Sequence, residues 1–325
     1  GEIIHLARSW RRMLRDHDYD ALLTETLGHA AAATGLIAQS LKFDRAVTLQ
    51  ILGGSALQML VMQVTSDLDV RGMAAVGEGA APQDFAGLTR DSQCAVTVDS
   101  GGRPYQGIVE ITGASLAASL EHYFDRSMQV PSHIALVADA DVAAGVLLQQ
   151  VPGEHMDPDD WNRLHYLVQT LSTSDFGGEA GLQLIGKLFA EDDVRVFDAK
   201  PVMFRCRCSR RRAEDVLRML GPAETREALE EQGTIRIRCE YCGERREFDE
   251  VDVSTPSGRS ALLLGMLSYF FVFSLLIGGM NLAIDSTAGE RERGSLEPLL
   301  YLPVLRDHLI IGKSRELSFR SEGLL

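Results

Sequence analysis

Phe204-Arg205-Cys206-Arg207-Cys208-Ser209 and, 30 residues further on, Cys239-Glu240-Tyr241-Cys242-Gly243 carry four of the five cysteines of this chain. Two close thiol pairs separated by a helical insert are a ligand set for one tetrahedral Zn2+, so Cys206, Cys208, Cys239 and Cys242 are the candidate metal ligands. The first pair is C-x-C. On an extended strand its two α-carbons lie about 6.6 Å apart, whereas sulfurs on one zinc sit roughly 3.8 Å apart, so a local bend is required. Around the ligands, Val202, Phe204, Cys206 and Cys208 alternate as on a strand. Ala213, Val216, Leu217 and Leu220 predict a short amphipathic helix stopped by Gly221-Pro222. A second helix is expected to reach Gln232 and end at Gly233. Ile235 and Ile237 alternate into the second knuckle, and Phe248, Val251 and Val253 predict strands after it. Four thiolates on one zinc carry a net double negative charge, which Arg205, Arg207, Arg210, Arg211 and Arg238 are placed to offset.

Outward from this module, residues 1–152 read as one α+β domain. Asp20 to Leu41 has helical spacing of Leu and Ala. Residues 46–64 predict strands around Gly53-Gly54, and Ala95–Val98, Gly107–Thr112 and His133–Ala138 predict three more. Ser115–Ser127 reads as a helix. At Asp157-Pro158-Asp159-Asp160 a helix starts, with Asp157 as cap and the acids at the positive end of the dipole. Trp161, Leu164, Val168 and Leu171 fall on its apolar face. Gly177, Gly178, Gly181 and Gly186 follow, and glycine costs helix stability. Residues 153–205 therefore read as a metastable linker that depends on docking, 206–255 as the zinc module and 256–325 as a tail. The fold class is α+β: a mixed sheet-and-helix domain, a helical linker, a small zinc module and one predicted transmembrane helix. That helix is Ala261–Ile284, 24 residues without a charge and long enough to span a bilayer.

The 325 residues are enough for about two domains. The net charge of −14 argues against a general nucleic-acid binder. From Pro256 onward seven Lys/Arg balance seven Asp/Glu, so the acidic excess lies in residues 1–255. The cysteines are too few and too clustered for a secreted disulfide scaffold, and Arg8, Arg11, Arg12 and Arg15 interrupt any leader-like apolar run. A reducing, cytoplasmic location is the expectation. The chain opens with Gly1 rather than Met, which implies residues before it.

Removal of the metal would leave two reactive dithiols, because the thiolate is the form that attacks an oxidant. Cys206–Cys208 and Cys239–Cys242 are the expected disulfides, being nearest along the chain. Metal binding supplies about 10–16 kcal/mol to folding of such a module, so oxidation should release zinc and unfold it. A purely structural zinc ribbon, including one that binds nucleic acid, fits the same spacing. Other candidates carry less. Cys94 reads as a buried small residue. His155 with Asp157, Asp159 and Asp160 reads as a helix cap. His29, His122, His133 and His165 are scattered and form no H-E-x-x-H or triad signature. Gly312-Lys313-Ser314 lacks the first glycine of a P-loop, since Asp307 stands there. No enzymatic signature appears.

Phe204–Ser209 with Cys239–Glu244 resembles the signature of the heat shock protein 33 (HslO) family of redox-regulated chaperones. Tyr105–Val109, Leu120–Phe124, Ala144–Gln149 and Glu191–Arg195 resemble that family too, so the likeness covers roughly residues 5–253. It implies a non-enzymatic, ATP-independent holdase for unfolding client proteins. The reduced, zinc-bound form would be inactive. Peroxide with unfolding stress, or hypochlorous acid, would pair the cysteines and expel zinc; linker and module would lose structure, and a homodimer would form. The tail departs from this family. Ile284–Pro298 resembles a loop of sodium-efflux ABC transporter permeases, which implies a fusion, a rearranged gene or an assembly artefact; expressed as written, the tail would tether the chain to a membrane.

Overall fold

In a computed structural model of the chain, residues 1–41, 43–77, 79–112, 115–151, 156–176 and 180–248 are described. Strand β1 (Glu2–Leu6) and helices α1 (Arg8–Leu14) and α2 (Ala21–Ser40) lead into β2 (Ala46–Leu52), β3 (Leu57–Thr65) and β4 (Asp69–Val76). The short α3 (Phe85–Leu88), β5 (Gln93–Asp99), β6 (Tyr105–Val109), α4 (Leu116–Tyr123), β7 (Ser132–Ala138) and β8 (Ala143–Gln149) follow. After them come α5 (Pro158–Gln169), α6 (Ala180–Leu188), β9 (Met203–Phe204), α7 (Arg210–Leu220), α8 (Pro222–Gln232), β10 (Ile235–Arg238) and β11 (Arg245–Phe248).

Two sheets sandwich α2. One has the order β6-β5-β2-β3-β4-β9, the other β1-β8-β7. Asp20 starts α2 by accepting the Leu23 N–H at 2.7 Å, the capping role expected of Asp. The helix touches β1, β7 and β8 on one side and β2, β3 and β4 on the other. Both faces must therefore be narrow. Ala30, Ala31, Ala32 and Ala33 are all buried, and a side chain at Gly28 or Gly35 would meet Ala138 or Ile4. Val47, Leu49 and Ile51 alternate inward from β2, the period-2 pattern of a half-buried strand.

The outer face of the three-stranded sheet is covered by the segment that the sequence marks as linker. Ala135, Ala144 and Val146 pack there against Val168 of α5, Phe176 and Leu184 of α6. Asp157 caps α5 through the Asp159 N–H at 2.9 Å. Arg163 grips Asp192 with two hydrogen bonds of 2.5 and 3.2 Å, which ties α5 to the chain beyond α6.

Three local expectations are corrected. The alternation through Val202–Cys208 gives a strand only at Met203–Phe204, because pairing with β4 stops at Val70 and the chain bends to aim both cysteines at one point. On α7 only Ala213 and Leu217, four residues apart, are buried; Val216 and Leu220 are exposed. The helix expected over Ser115–Ser127 ends at Tyr123 and continues as a wider π-type turn, Phe124–Met128, closed by Gln129 in the left-handed region at φ 54°. Strands β1, β4 and β8 were not read from the sequence pattern. The predicted span 261–284, the rest of the tail, Gly312–Ser314, Val251, Val253, His155, Gly177 and Gly178 lie outside the described residues. Among the described residues no helix is long and apolar enough to cross a membrane.

Candidate metal centre

The approach to the first cysteine pair is held by the first domain. β9 pairs in parallel with β4, Asp69 opposite Met203 and Val70 opposite Phe204. Ser9 Oγ donates to the Val202 carbonyl at 2.7 Å and accepts the Phe204 N–H at 3.1 Å. One buried hydroxyl thus satisfies two backbone groups on and beside a strand whose other edge, among the described residues, has no partner strand. The second pair sits on the turn joining β10 to β11, where the Cys239 N–H donates to the Glu244 carbonyl at 2.9 Å and the Gly243 N–H to the Cys239 carbonyl at 2.8 Å. Gly243 has φ +67°, and a β-carbon there would collide with Asp16. Glycine is required on both counts.

The four sulfurs converge. All lie within 4.8 Å of one another, with Cys206 Sγ 3.6 Å from Cys239 Sγ and Cys208 Sγ 3.4 Å from Cys242 Sγ. Those contacts run between the two motifs, and the sulfurs within each motif are also no more than 4.8 Å apart. All four are free thiols. Sulfurs on one tetrahedral zinc stand roughly 3.8 Å apart, so the donor set and its spacing fit such an ion. The acid–base balance fits as well. Burial first, then the neighbouring thiols, push Cys208 up to about 11, and burial also raises Cys242. At Cys239 burial opposes ionisation, but the N–H groups of Tyr241 and Cys242 and two adjacent thiols outweigh it, and its pKa is lowered. Crowded thiolates repel one another, and a divalent cation removes that penalty.

The arginines expected to offset this charge are mostly engaged elsewhere. Arg205 pairs with Asp69 at 3.4 Å. Arg210 pairs with Glu214 at 3.4 Å and lies 4.6 Å over the Phe248 ring. Arg238 donates to the Asp16 carbonyl. Arg246 is a cation whose charge acts on Cys208 and Cys242; it pairs with Glu244 at 2.8 Å, and Glu244 accepts from Cys208 Sγ at 3.5 Å. The place of Arg246 follows from the β10–β11 register, where it lies opposite Ile237, and no local sequence signal marks it. Arg71 over the Tyr241 ring at 4.9 Å, with Arg238 on Asp16, joins the second knuckle to the first domain.

The remaining candidates separate. Cys94 is buried in β5, and burial pushes its thiol up to about 12, so it is no nucleophile at neutral pH. His29, about two turns into α2, is lowered to about 4 by burial. His122 faces Glu110 at 3.6 Å. His133 and His165, scattered in sequence, meet: their Nδ1 atoms are 3.0 Å apart, and Glu121 completes a second group whose ligand atoms lie within 4.8 Å.

A family model described as Hsp33 protein matches residues 1–249. The chain belongs to the Hsp33 family. Among curated proteins it is 40% identical over 255 residues to the 33 kDa chaperonin of Nitrosococcus oceani and 38% identical over 257 residues to that of Methylobacillus flagellatus. Each match covers 78% of this chain and 88% of the relative. The crystal structure of the Thermotoga maritima 33 kDa chaperonin, a heat shock protein 33 homologue, superposes with a TM-score of 0.65 at 25% identity, covering 77% of this chain and 90% of the other. The resemblance read from the paired cysteines is therefore sound for the Hsp33 part. The Hsp33 match ends at residue 249, before the tail that was likened to a transporter permease.

Proposed function

We propose that this protein is an ATP-independent holdase switched on by oxidation, with Cys206, Cys208, Cys239 and Cys242 holding zinc in the reduced, inactive state. The observation that carries the reading is the convergence of four thiols on one point, in a module docked to the first domain through Asp16 and Arg71. Bound there, zinc supplies cross-linking of the two knuckles and nothing catalytic. Each pair of thiolates yields two electrons to one peroxide, and with two protons the products are one disulfide and two waters. Sulfurs joined in disulfides are lost as ligands. Once the fold around them loosens, loop closure favours the shortest loops, Cys206–Cys208 and Cys239–Cys242. The name chaperonin borne by the relatives supports the client-binding half of the proposal.

The segment 153–205 is then the hinge, 1–152 the client-binding and dimerising domain, and 206–255 the switch. Release of the hinge bares Ala135, Ala144 and Val146 on the sheet, and Val168, Phe176 and Leu184 on the hinge itself. Contiguous apolar surface of this kind binds unfolded chains. Residues beyond 255 have no part in this reading.

Light scattering from a heat-unfolding client tests it. The reduced, zinc-loaded protein should leave aggregation unchanged. Peroxide at raised temperature should bring suppression, release one zinc per chain, and be reversed by a thiol reductant. Equal behaviour of the two forms would leave a structural zinc module. In Cys239→Ser, zinc should be held more weakly by more than the roughly 10–100-fold that loss of an outer-shell partner costs; an unchanged affinity would refute the ligand assignment.

A further inference from the structure

Three elements meet where the hinge lies on the first domain. β7 presents His133 on the same outward side as Ala135 and Val137, which pack under the hinge. α5 brings His165, whose Nδ1 stands 3.0 Å from that of His133. The last turns of α4 supply Glu121, whose Oε1 accepts the Ile134 N–H at 2.6 Å. That N–H lies on the free edge of the sheet, because β7 ends the order β1-β8-β7. The hydrogen bond aims the carboxylate along the strand toward the two rings. Trp161, one turn before His165, stacks on His133 with centroids 4.1 Å apart, which fixes the ring plane.

From this geometry we propose a second metal site, formed by Glu121, His133 and His165, that takes a divalent transition-metal ion and pins α5 to the first domain. Two imidazole nitrogens on one ion with metal–nitrogen bonds of about 2.0–2.1 Å stand roughly 3.3 Å apart in a tetrahedron and about 2.9 Å apart at the right angle of an octahedron. The observed 3.0 Å lies between the two, and the ligand atoms of all three residues fall within 4.8 Å. Two imidazoles and a carboxylate suit Zn2+, Co2+ or Ni2+ rather than Ca2+ or Mg2+, which prefer all-oxygen ligands. The site is chemically distinct from the thiolates, since it holds no sulfur and no oxidisable ligand pair.

Its ligands come from both sides of one docking contact. The docked state alone can bind the ion with all three groups, so metal at a hundredfold excess over its Kd shifts the docked-to-undocked ratio about a hundredfold. What that does to activation rests on the function proposed above, whereas the existence of the site does not.

The test uses the full chain, reduced and loaded with one equivalent of Zn2+, dialysed against Co2+. Thiolate-bound Co2+ shows strong sulfur-to-metal charge-transfer absorption, and nitrogen- and oxygen-bound Co2+ does not. One equivalent of Co2+ should bind without that absorption and raise the hydrogen-exchange protection of residues 158–169. His165→Ala should lose both effects, while His122→Ala, at a residue outside the triad, should keep both. Unchanged hydrogen-exchange protection of β2, β3, β7 and β8 in the metal-free variants reports that the first domain of each is folded. Cobalt uptake only with charge-transfer absorption, or a second equivalent that survives in His165→Ala, would overturn the site.

Discussion

Stripping zinc from the reduced protein with a chelator is expected to unfold residues 206–248 and to leave the two sheets of the first domain folded. The apolar core of the module is three buried residues, Ala213, Leu217 and Phe248, with Ile235 and Ile237 partly buried beside them. Segments of this size, near 40 residues, rarely fold without a metal or disulfides, and a structural zinc contributes about 10–16 kcal/mol. The docking contacts cannot replace it. In the Arg205–Asp69 pair the arginine is 70% exposed and the carboxylate 14%, so solvent screens the pair from one side and it is worth about 1 kcal/mol; a cation–π contact such as Arg71 on Tyr241 adds about 0.5–1 kcal/mol. Hydrogen exchange decides it. Amides of α7, β10 and β11 should lose protection on chelation, and those of β2 and β3 should keep theirs. Protection that persists in β10 and β11 would mean that docking against Asp16 suffices, and the thiol cluster would then not be the element that holds the module together.

Trp10→Ala should produce the largest loss of stability from a single change in the first domain. Trp10 is fully buried, its indole N–H donates to the Asp139 carbonyl at 2.7 Å, and its ring lies against the surface of α2 at Gly28. It therefore joins α1 to the β7–β8 turn and to the central helix. Truncation of a buried Trp costs about 3–5 kcal/mol through lost transfer energy and the cavity left behind. For a domain of this size that is a fall in Tm of roughly 6–20 °C. Calorimetry of the reduced, zinc-loaded protein measures it. A shift of only a degree or two would show that α2 can close onto β7 without the ring, against the packing described. Zinc content should stay at the wild-type value, because the residues flanking the cysteines meet the first domain at Asp16, Arg71 and Ser9 rather than at Trp10.

Much of the secondary structure was legible because its signals are local. Asp20 and Asp157 cap α2 and α5, Gly53-Gly54 separates β2 from β3, and the apolar faces of α2 and α5 repeat at helical spacing. β4 and β8 escaped notice because their sequences, with Gly72, Ala74 and Ala75 in one and Ala143, Ala144 and Gly145 in the other, lack the β-branched alternation that marks a strand. Their small residues are demanded by neighbours: Met62 crowds Gly72, and Leu136 and Leu36 crowd Gly145. Arg246 was overlooked for the same reason, since its place beside Cys208 depends on the β10–β11 register and not on closeness in sequence.

By itself the sequence determined the family and a set of four thiols that could hold a metal ion. Thiol pairs at short spacing are local features, and their ligand geometry follows from zinc–sulfur bond lengths wherever the module is placed. Only the tertiary structure decided what the module and hinge are fastened to. The Ser9 hydroxyl bonds Val202 across 193 residues of chain, β9 finds a parallel partner in β4, and His133 meets His165 across 32 residues. Contacts at such separations are selected by the shape and burial of whole surfaces, here the outer face of β7–β8 and the open edge of β4. No periodicity within a single segment encodes them.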